Sequence, residues 1–469
     1  MERRLTNAFG ILTIISAVLY GWFFSLARKD FSNLLVIYIL LFIAFLGYNY
    51  ISKKGTQENL KLFPNFLGKW FYGSSLIGGI FFIGLILRLL LIDNTPHLSQ
   101  DFFRFIWDGH QLLNGYNPYL YLPDDIIKSG ASHIPNATFI HTSMGELSSG
   151  HYTNYPPLNQ LFFAIAAWLG DESILATIIW MRLFLILADI GIFIYSIKLL
   201  KLLGKPMWFI ALYFLNPFVI IELTGNLHWE GMMAFLLLAS IYYLFSLKKW
   251  QSVLSMSYGI LLKLLPVISL PLLFRRLKFK KAILYYLAVA IVVMIGFAPF
   301  VSQDLLNKYA SSVGLWFGNF EFNASIYYII RAIGYQVTGY NIIQTVGRIL
   351  PVITLVIILG ISFIRKNEFP EILLSSIVFS FFTYLLLSTT VHPWYLVIPL
   401  LFSIFTRYRF MLVWSFTIFL SYSAYSSENF TENNWFIAIE YILVLFIFIF
   451  ELFLTKTILP ESKGEITNH

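Results

Sequence analysis

The chain of 469 residues contains no cysteine. Disulfide bonds, thiolate metal sites and cysteine nucleophiles are therefore excluded, although this absence does not identify the cellular compartment. Charge is also scarce, because Asp, Glu, Lys and Arg occupy 12% of positions against about 25% in an average soluble protein. With 58% apolar residues, too little polar surface is left to cover a body of this size, and a soluble globular fold is excluded.

The apolar residues are gathered into runs of about twenty. The runs that begin at Thr6 and Phe31 each match the ~20 residues with which a helix crosses a ~30 Å hydrocarbon core, and they are longer than barrel strands. The sequence predicts an all-α polytopic bundle, one integral membrane domain over 1–469 with about twelve spans. The first run is too long for a signal peptide and lacks a small-residue cleavage site, so it is interpreted as a retained span.

The net charge of +8 is interpreted as topological, because basic residues gather in the cytoplasmic loops of membrane proteins. Keeping the basic segments on one side places both termini in the cytoplasm and most acidic residues outside. Besides the amino terminus, the segments placed in the cytoplasm are 53–69, 198–205, 248–249, 275–281, 365–366, 407–409 and 456–463.

Two segments do not fit this alternation. Segment 156–170 is too short to span comfortably and is interpreted as a helix at the outer interface. Segment 252–274 has basic flanks at both ends, and Lys263 and Pro266 interrupt it. A broken or re-entrant pair of half-helices is predicted there, since irregular backbone at membrane depth is tolerated where it lines a cavity.

Two outer loops are long enough to indicate function, 93–157 and 301–345. The first opens with SQDFFRFIWDGHQLL, in which Asp101, Arg104 and Asp108 share one face of a helix that begins after Ser99. This face is interpreted as a candidate site. A helix cap at Asp101 with an ion pair to Arg104 explains the same pattern equally well.

Further along the first loop, His151 and Tyr155 precede the rigid pair Pro156 and Pro157, which aims the next helix. His151 is a candidate binding residue, and a plain surface position is the alternative. The histidines of this loop have no metal-ligand spacing.

Isolated charges within the apolar runs are Arg182, Asp189, Glu222 and Lys263. Each costs free energy unless it is paired or hydrated, which makes each a functional hypothesis. Arg182 and Asp189 lie seven residues apart, so an ion pair within one helix is the alternative for them. Lys263 precedes a proline break without a local acid, and an ammonium in that position suits a phosphate group.

Three later outer segments carry polar residues among aromatic ones, and we expect them to converge at the same depth as the first loop. They are GNLHWEG with His228 and Glu230, FEFNASIYYIIR with Glu321 and Arg331, and HPWYL with His392. The aromatic residues by themselves are also explained by an interfacial belt.

Taken in order, QDFFRFIWDGHQLLNGYNPY, YPPLNQ, GNLHWEG, KLLP, FNASIYYIIR and HPWYL resemble the multispanning GT-C glycosyltransferases. The similarity extends from about Asp93 to Tyr395 and is closest to bacterial mannosyltransferase-like members that take sugar from a polyprenyl phosphate. The resemblance implies that Asp101 is the catalytic base and that Asp108 orients a sugar. Many relatives carry a second carboxylate adjacent to the base or two residues away, but Gln100 and Phe102 flank Asp101. No cofactor is therefore assigned, and a divalent metal stays open.

The predicted reaction is transfer of a hexose, with mannose expected, from a polyprenyl phosphate to a glycan or lipid-linked acceptor. It is placed on the extracytoplasmic side of a bacterial plasma membrane and inverts the anomeric centre. Cations at Lys263, with Arg331 or His392, would stabilise the departing phosphate. The expected partners are donor, acceptor and bilayer, without nucleic acid. The predicted substrate-binding residues are Arg104, His151, Tyr155, His228, Glu230, Lys263, Glu321, Arg331 and His392.

Two other classes of protein stay as alternatives. A lipid-linked glycan flippase or other transporter commonly shows internal repeats and charges at the midplane, whereas this chain shows no repeat and its polar residues cluster in outer loops. A glycan ligase or polymerase would be expected to carry its chemistry on a large loop late in the chain, and here the carboxylate-rich loop comes early.

Overall fold

The structure is a computed structural model that describes residues 2–57, 75–130, 133–318, 320–427 and 429–454. Regular structure in these residues is helical, and their one isolated β-bridge pairs Phe322 with Thr390. The all-α class is thus confirmed for the described part of the chain. Four basic positions predicted to be cytoplasmic lie outside the described residues, namely Lys61, Lys69, Lys456 and Lys463.

We number the described helices in chain order. The amino-terminal part contains α1 (Glu2–Phe23), α2 (Phe31–Gln57) and α3 (Ser75–Leu89). The first long loop contains α4 (Asp101–Leu113), α5 (Pro123–Ser129), α6 (Ala137–Met144), α7 (Glu146–Ser149) and α8 (Pro157–Gly170). The central part contains α9 (Ile174–Leu202), α10 (Ala211–Phe214), α11 (Pro217–Val219), α12 (Glu230–Phe245), α13 (Lys249–Leu262), α14 (Phe274–Leu277) and α15 (Phe279–Phe297).

The last part contains α16 (Leu305–Gly318), α17 (Ile326–Thr338), α18 (Ile343–Ile364), α19 (Pro370–Leu386), α20 (Val397–Ser403), α21 (Phe410–Thr417) and α22 (Asn434–Leu454). Between these helices lie 3-10 segments at Met207–Ile210, Leu265–Ser269, Pro271–Leu273, Ala298–Phe300, Pro393–Leu396 and Ile418–Ser426, and a π segment at Ile220–Gly225.

Six described helices are long and apolar enough to cross a bilayer, namely α1, α2, α9, α15, α18 and α22. A seventh crossing results if Met207–Phe214 and Pro217–Gly225, which are bent by 52° at their junction, form one broken span. The remaining apolar helices, of 10–17 residues, are shorter than a ~30 Å core requires. The protein is multi-pass, and the count of about twelve spans stays a prediction.

The interruption predicted at Lys263 is confirmed. Helix α13 ends at Leu262, Lys263 is extended with φ −150° and ψ 143°, and the chain continues as two 3-10 segments rather than as an α-helix. Pro266 and Pro271 lie in the first turns of these segments, because proline lacks the N–H that a continuing α-helix needs. The break turns the backbone at the place where Lys263 projects.

Helix α4 is held against α8 by a close approach at Gly109. A Cβ at this position would lie 2.4 Å from the carbonyl oxygen of Phe163, so only glycine fits there without a shift. Helix α8 packs in turn on α9 and α13, and α12 packs along α13. This arrangement brings the start of α4, the start of α12 and the break after α13 to one cavity.

Candidate active site

A cavity of about 580 Å³ lies at the junction of these elements. One end is polar and is lined by Asp101, Arg104, His151, Glu230 and Lys263. The other end is an apolar arm that runs between the segment after the α13 break and helix α18. Its lining residues are Leu264, Leu265, Val267, Ile268, Pro271, Leu350, Pro351, Leu355 and Ile358.

Asp101 is the first residue of α4 and borders the polar end of the cavity. Its backbone N–H donates to Ser99 Oγ at 3.2 Å, which holds the first turn of the helix where the Asp101 side chain borders the cavity. Burial raises the pKa of Asp101 to about 6, and the Lys263 ammonium opposes that rise. A carboxylate that is ionised at neutral pH and titrates close to it is suited to accept a proton.

Arg104 pairs with Asp108 and not with Asp101, which corrects the ion pair considered from the sequence. Arg104 Nε lies 2.7 Å from Asp108 Oδ1, and both side chains are buried. Gln160 Nε2 donates to Asp108 Oδ2 at 3.1 Å, and Arg104 Nη1 donates to the carbonyl oxygen of His151 at 3.0 Å. Asp108 lies behind Arg104 and does not line the cavity, so this pair fixes α4 to the end of the loop.

Lys263 has an acidic partner, contrary to the expectation from its sequence neighbours. Its Nζ bonds to Glu230 Oε1 on the first residue of α12, 33 positions away in the chain. Its ammonium also lies 5.4 Å from the centre of the Tyr155 ring. Glu230 is buried and Lys263 is partly exposed to the cavity. The break therefore places the Lys263 ammonium at the cavity as one half of an ion pair with the Glu230 carboxylate.

Two of the three outer segments meet at the cavity as expected. The rings of His228 and Trp394 stack with centroids 3.6 Å apart, and Trp394 stacks on His392 at 4.5 Å and 5°. His392 and Trp394 line the cavity, while His228 lies behind Trp394. His151 and Tyr155 also line it, and burial lowers the pKa of His151 to about 4, so its imidazole is neutral at pH 7.

Glu321 and Arg331 are not brought to the cavity lining. They form an ion pair with each other, and Tyr327 Oη donates to Glu321 Oε2 at 2.7 Å. Both charged side chains are about a quarter exposed. This pair closes the turn before α17 and lies apart from the residues that surround Asp101.

The charges of α9 are paired outside that helix, so the ion pair considered within it is not formed. Asp189 Oδ2 lies 2.6 Å from Arg88 Nε on α3. Arg182 donates to four backbone carbonyl oxygens, those of Ile92, Asn94, Thr224 and Gly225. Asn226 follows directly, and its Oδ1 accepts from the backbone N–H groups of His97 and Leu98. These contacts position the chain that leads into Asp101.

Several cavity residues were not found from the sequence. Arg28, in the turn between α1 and α2, lines the cavity with Tyr384, Tyr395 and Tyr425. One signal was available, since the predicted topology places this turn outside, where basic residues are the exception. The tyrosines gave no signal, because aromatic residues occupy 19% of the chain.

Among the described residues, no three His, Asp or Glu side chains are grouped so as to hold a metal ion. Asp101 and Glu230 are the two carboxylates that line the cavity, and Glu230 is bonded to Lys263. The geometry therefore assigns no ligand set for a divalent metal among the described residues.

Helices of membrane length, together with a chamber lined by carboxylates, cations and aromatic rings, define a multi-pass membrane protein with a polar site. Residues 89–277 match the family model MptA_B, described as alpha-(1->6)-mannopyranosyltransferase, N-terminal domain, a GT-C-type mannosyltransferase family. The predicted resemblance to GT-C mannosyltransferases is confirmed over these residues, and the protein is a glycosyltransferase with a sugar donor and an acceptor. A comparison with curated proteins gives no match.

The matched segment contains most of the polar end of the cavity, including Asp101, Arg104, His151, Glu230 and Lys263. Arg28 and His392 line the same cavity from outside the matched segment. The match to an enzyme family favours transfer chemistry over the transporter alternative.

Proposed function

We propose that the protein transfers a mannosyl residue from a polyprenyl phosphate carrier to a glycan or lipid-linked acceptor. The observation that carries this proposal is the form of the cavity, in which a polar chamber containing Asp101 continues into an apolar arm. A nucleotide sugar carries no long apolar chain that could occupy such an arm, whereas a polyprenyl chain has only apolar surface to bury.

Residues that line the arm are exposed, which suits entry from the bilayer. Leu355 on α18 lines it and is 53% exposed, and Leu264 beside the α13 break is 38% exposed. Apolar side chains exposed on a helix of membrane length face lipid. The isoprenoid tail lies in this arm, and the phosphate rests where the arm meets the chamber, at Lys263.

Asp101 acts as the base in a single displacement. The acceptor hydroxyl oxygen attacks C1 of the sugar and its proton passes to the Asp101 carboxylate, while the C1–O bond to the phosphate breaks and the polyprenyl phosphate leaves with the electron pair. The Lys263 ammonium stabilises the charge that returns to the phosphate. Inversion of a β-linked donor gives an α-linked mannoside, and the description of the matched family names an α-(1→6) linkage.

His228, Glu321 and Arg331 do not line the cavity and receive no role in the reaction, and the other predicted site residues divide into two groups. His151, Tyr155, Glu230 and His392 border the bound sugar, whereas Arg104 and Asp108 position α4 and the loop end that follows Ser148. The reaction takes place on the extracytoplasmic side of a bacterial plasma membrane, with both termini in the cytoplasm, about twelve spans and a GT-C fold. The charge distribution supports this orientation.

Two donors test the proposal with the purified full chain in lipid nanodiscs. Polyprenyl phosphate mannose and guanosine diphosphate mannose are supplied separately with mannoside acceptors, and radioactive product is measured. Transfer from the lipid donor is expected, together with its loss in Asp101→Asn. Transfer from the nucleotide sugar alone would overturn the donor assignment, and full activity of Asp101→Asn would remove Asp101 as the base.

A further inference from the structure

The cavity lining carries three cations and two carboxylates. Lys263 is bonded to Glu230, and Arg104 is bonded to Asp108 behind the lining. Arg28 forms no ion pair with any carboxylate of the described residues. Its guanidinium is partly buried and borders the same chamber as Asp101. One guanidinium of the chamber is therefore available to an anionic ligand.

The structure holds Arg28 in place without neutralising it. Its Nη1 donates to the carbonyl oxygen of Leu98 at 3.1 Å, and the centre of its guanidinium lies 3.9 Å from the centre of the Tyr425 ring. The turn that carries it is closed by a hydrogen bond from the Asp30 N–H to the Ala27 carbonyl oxygen at 2.9 Å. Neither contact uses all five N–H donors of the group, and a fixed guanidinium binds carboxylate or phosphate through its planar fork.

Arg28 belongs to the acceptor side of the chamber. It projects from the turn between α1 and α2 and contacts Leu98, three residues before the proposed base, and Tyr425 in segment 418–426. The apolar arm and Lys263 belong to a wall built by other elements, the α13 break and α18. Lys263 and Arg28 both act electrostatically on the Asp101 carboxylate. Because Lys263 lies where the donor tail ends, Arg28, which reaches the base from other elements, is assigned to the acceptor.

We infer that Arg28 is an anion-binding residue for the acceptor, and that the acceptor carries a negatively charged group, a carboxylate or a phosphate ester, close to the hydroxyl that is mannosylated. This inference rests on the proposed function in assigning the acceptor to this side of the chamber. The binding of an anionic glycoside to Arg28 is measurable without turnover.

Binding to the full chain in nanodiscs of uncharged lipid tests the inference. The probes are octyl glucoside, octyl glucuronide and octyl glucoside 6-phosphate, which share tail and ring and differ in charge. Tighter binding of either anionic probe than of octyl glucoside is expected. The anionic probe that binds more tightly shows whether the site takes a carboxylate or a phosphate ester. Arg28→Ala is expected to weaken that binding about tenfold, the scale of one charge-assisted hydrogen bond, and to leave octyl glucoside unchanged.

Lys29→Ala is the matched control, because it removes one positive charge from the same turn at an exposed residue that does not line the cavity. It is expected to bind all three probes as the unsubstituted chain does, and Arg28→Lys is expected to recover part of the anionic preference. Equal binding of the three probes to the unsubstituted chain would overturn the inference. An equal loss for neutral and anionic probes in Arg28→Ala, or the same loss in Lys29→Ala, would also overturn it.

A kinetic measurement separates the inference about Arg28 from the proposed function. If polyprenyl phosphate mannose is a donor, Arg28→Ala is expected to raise the KM for an anionic acceptor and to leave the donor KM unchanged. A rise in donor KM alone would place Arg28 at the donor phosphate and contradict the inference. Absence of transfer from any lipid donor would contradict the proposed function while the binding result stands by itself.

Discussion

Lys263 at the break after α13 is bonded to Glu230 at the start of α12, and both residues line the cavity beside Asp101. A buried carboxylate without a partner is costly, and Lys263 supplies that partner. The same ammonium lies where the apolar arm meets the polar chamber. Its role in folding and its role toward a donor phosphate therefore have to be separated by experiment.

Lys263→Ala is expected to weaken donor binding about tenfold or more, because a charge-assisted contact to phosphate is lost, and also to lower the melting temperature. The double variant Lys263→Ala with Glu230→Gln removes both charges and is expected to regain most of the melting temperature without regaining donor binding. Measurement of melting temperature and donor KM for the unsubstituted chain and the two variants checks this. Recovery of donor binding in the double variant would limit Lys263 to a structural role.

The pH dependence of transfer is expected to follow Asp101. Burial raises its pKa to about 6, and the base acts only when ionised, so kcat/KM should be constant above about pH 7 and fall as the pH drops through 6. A pH profile of kcat/KM checks this. A profile that stays flat down to pH 4.5 would contradict the assignment.

Substitution of Asp101 should not lower the stability of the fold. Because the raised pKa means that burial disfavours the ionised carboxylate, its charge opposes folding at pH values above 6. Asp101→Asn is therefore expected to melt at the same temperature as the unsubstituted chain or higher at pH 7.5. A large drop in melting temperature would indicate a structural role for Asp101.

Asp108 is expected to matter for stability. Asp108→Ala leaves the Arg104 guanidinium buried without its carboxylate, and breaking a buried pair costs about 3–5 kcal/mol. The free energy of unfolding should fall accordingly, and activity should fall with the folded fraction. Asp125→Ala removes an exposed acid from the same loop and is expected to change the free energy of unfolding by less than about 0.5 kcal/mol. Equal stability of the two variants would contradict the role given to Asp108.

The apolar arm is expected to select for the donor tail. Leu355→Trp places bulk in the arm, so the KM for a donor with a long polyprenyl chain should rise at least about tenfold, whereas a donor with a short chain should be little affected. Val356→Trp is the control, since Val356 is 62% exposed on the same helix but does not line the cavity. Kinetics with donors of two chain lengths measure the effect, and an equal rise for both lengths would argue against the arm as the tail site.

Much of the site was predictable where local sequence controls geometry. Proline after Lys263 interrupts a helix in any context, and the spacing of Arg104 and Asp108 places them together on any helix. Partners distant in the chain were not predictable in this way. The residues next to Lys263 in the chain include no acid, yet Glu230 pairs with it across the bundle. Similarly, an ion pair between Arg182 and Asp189 is possible within one helix, but the partner of Asp189 is Arg88 on another helix.

The sequence by itself determined that this protein lies in a bilayer and which segments carry its functional polar residues. A charged fraction of 12%, with 58% apolar residues gathered into long runs, predicts a bilayer protein, and the few charges that topology does not require mark the first outer loop and the break at Lys263. Tertiary structure decided which charges are neutralised. Helix packing brought Glu230 to Lys263 and Arg88 to Asp189, because an ion pair depends on distance in space and not along the chain. It also brought Arg28 to the cavity from a turn 73 positions before Asp101.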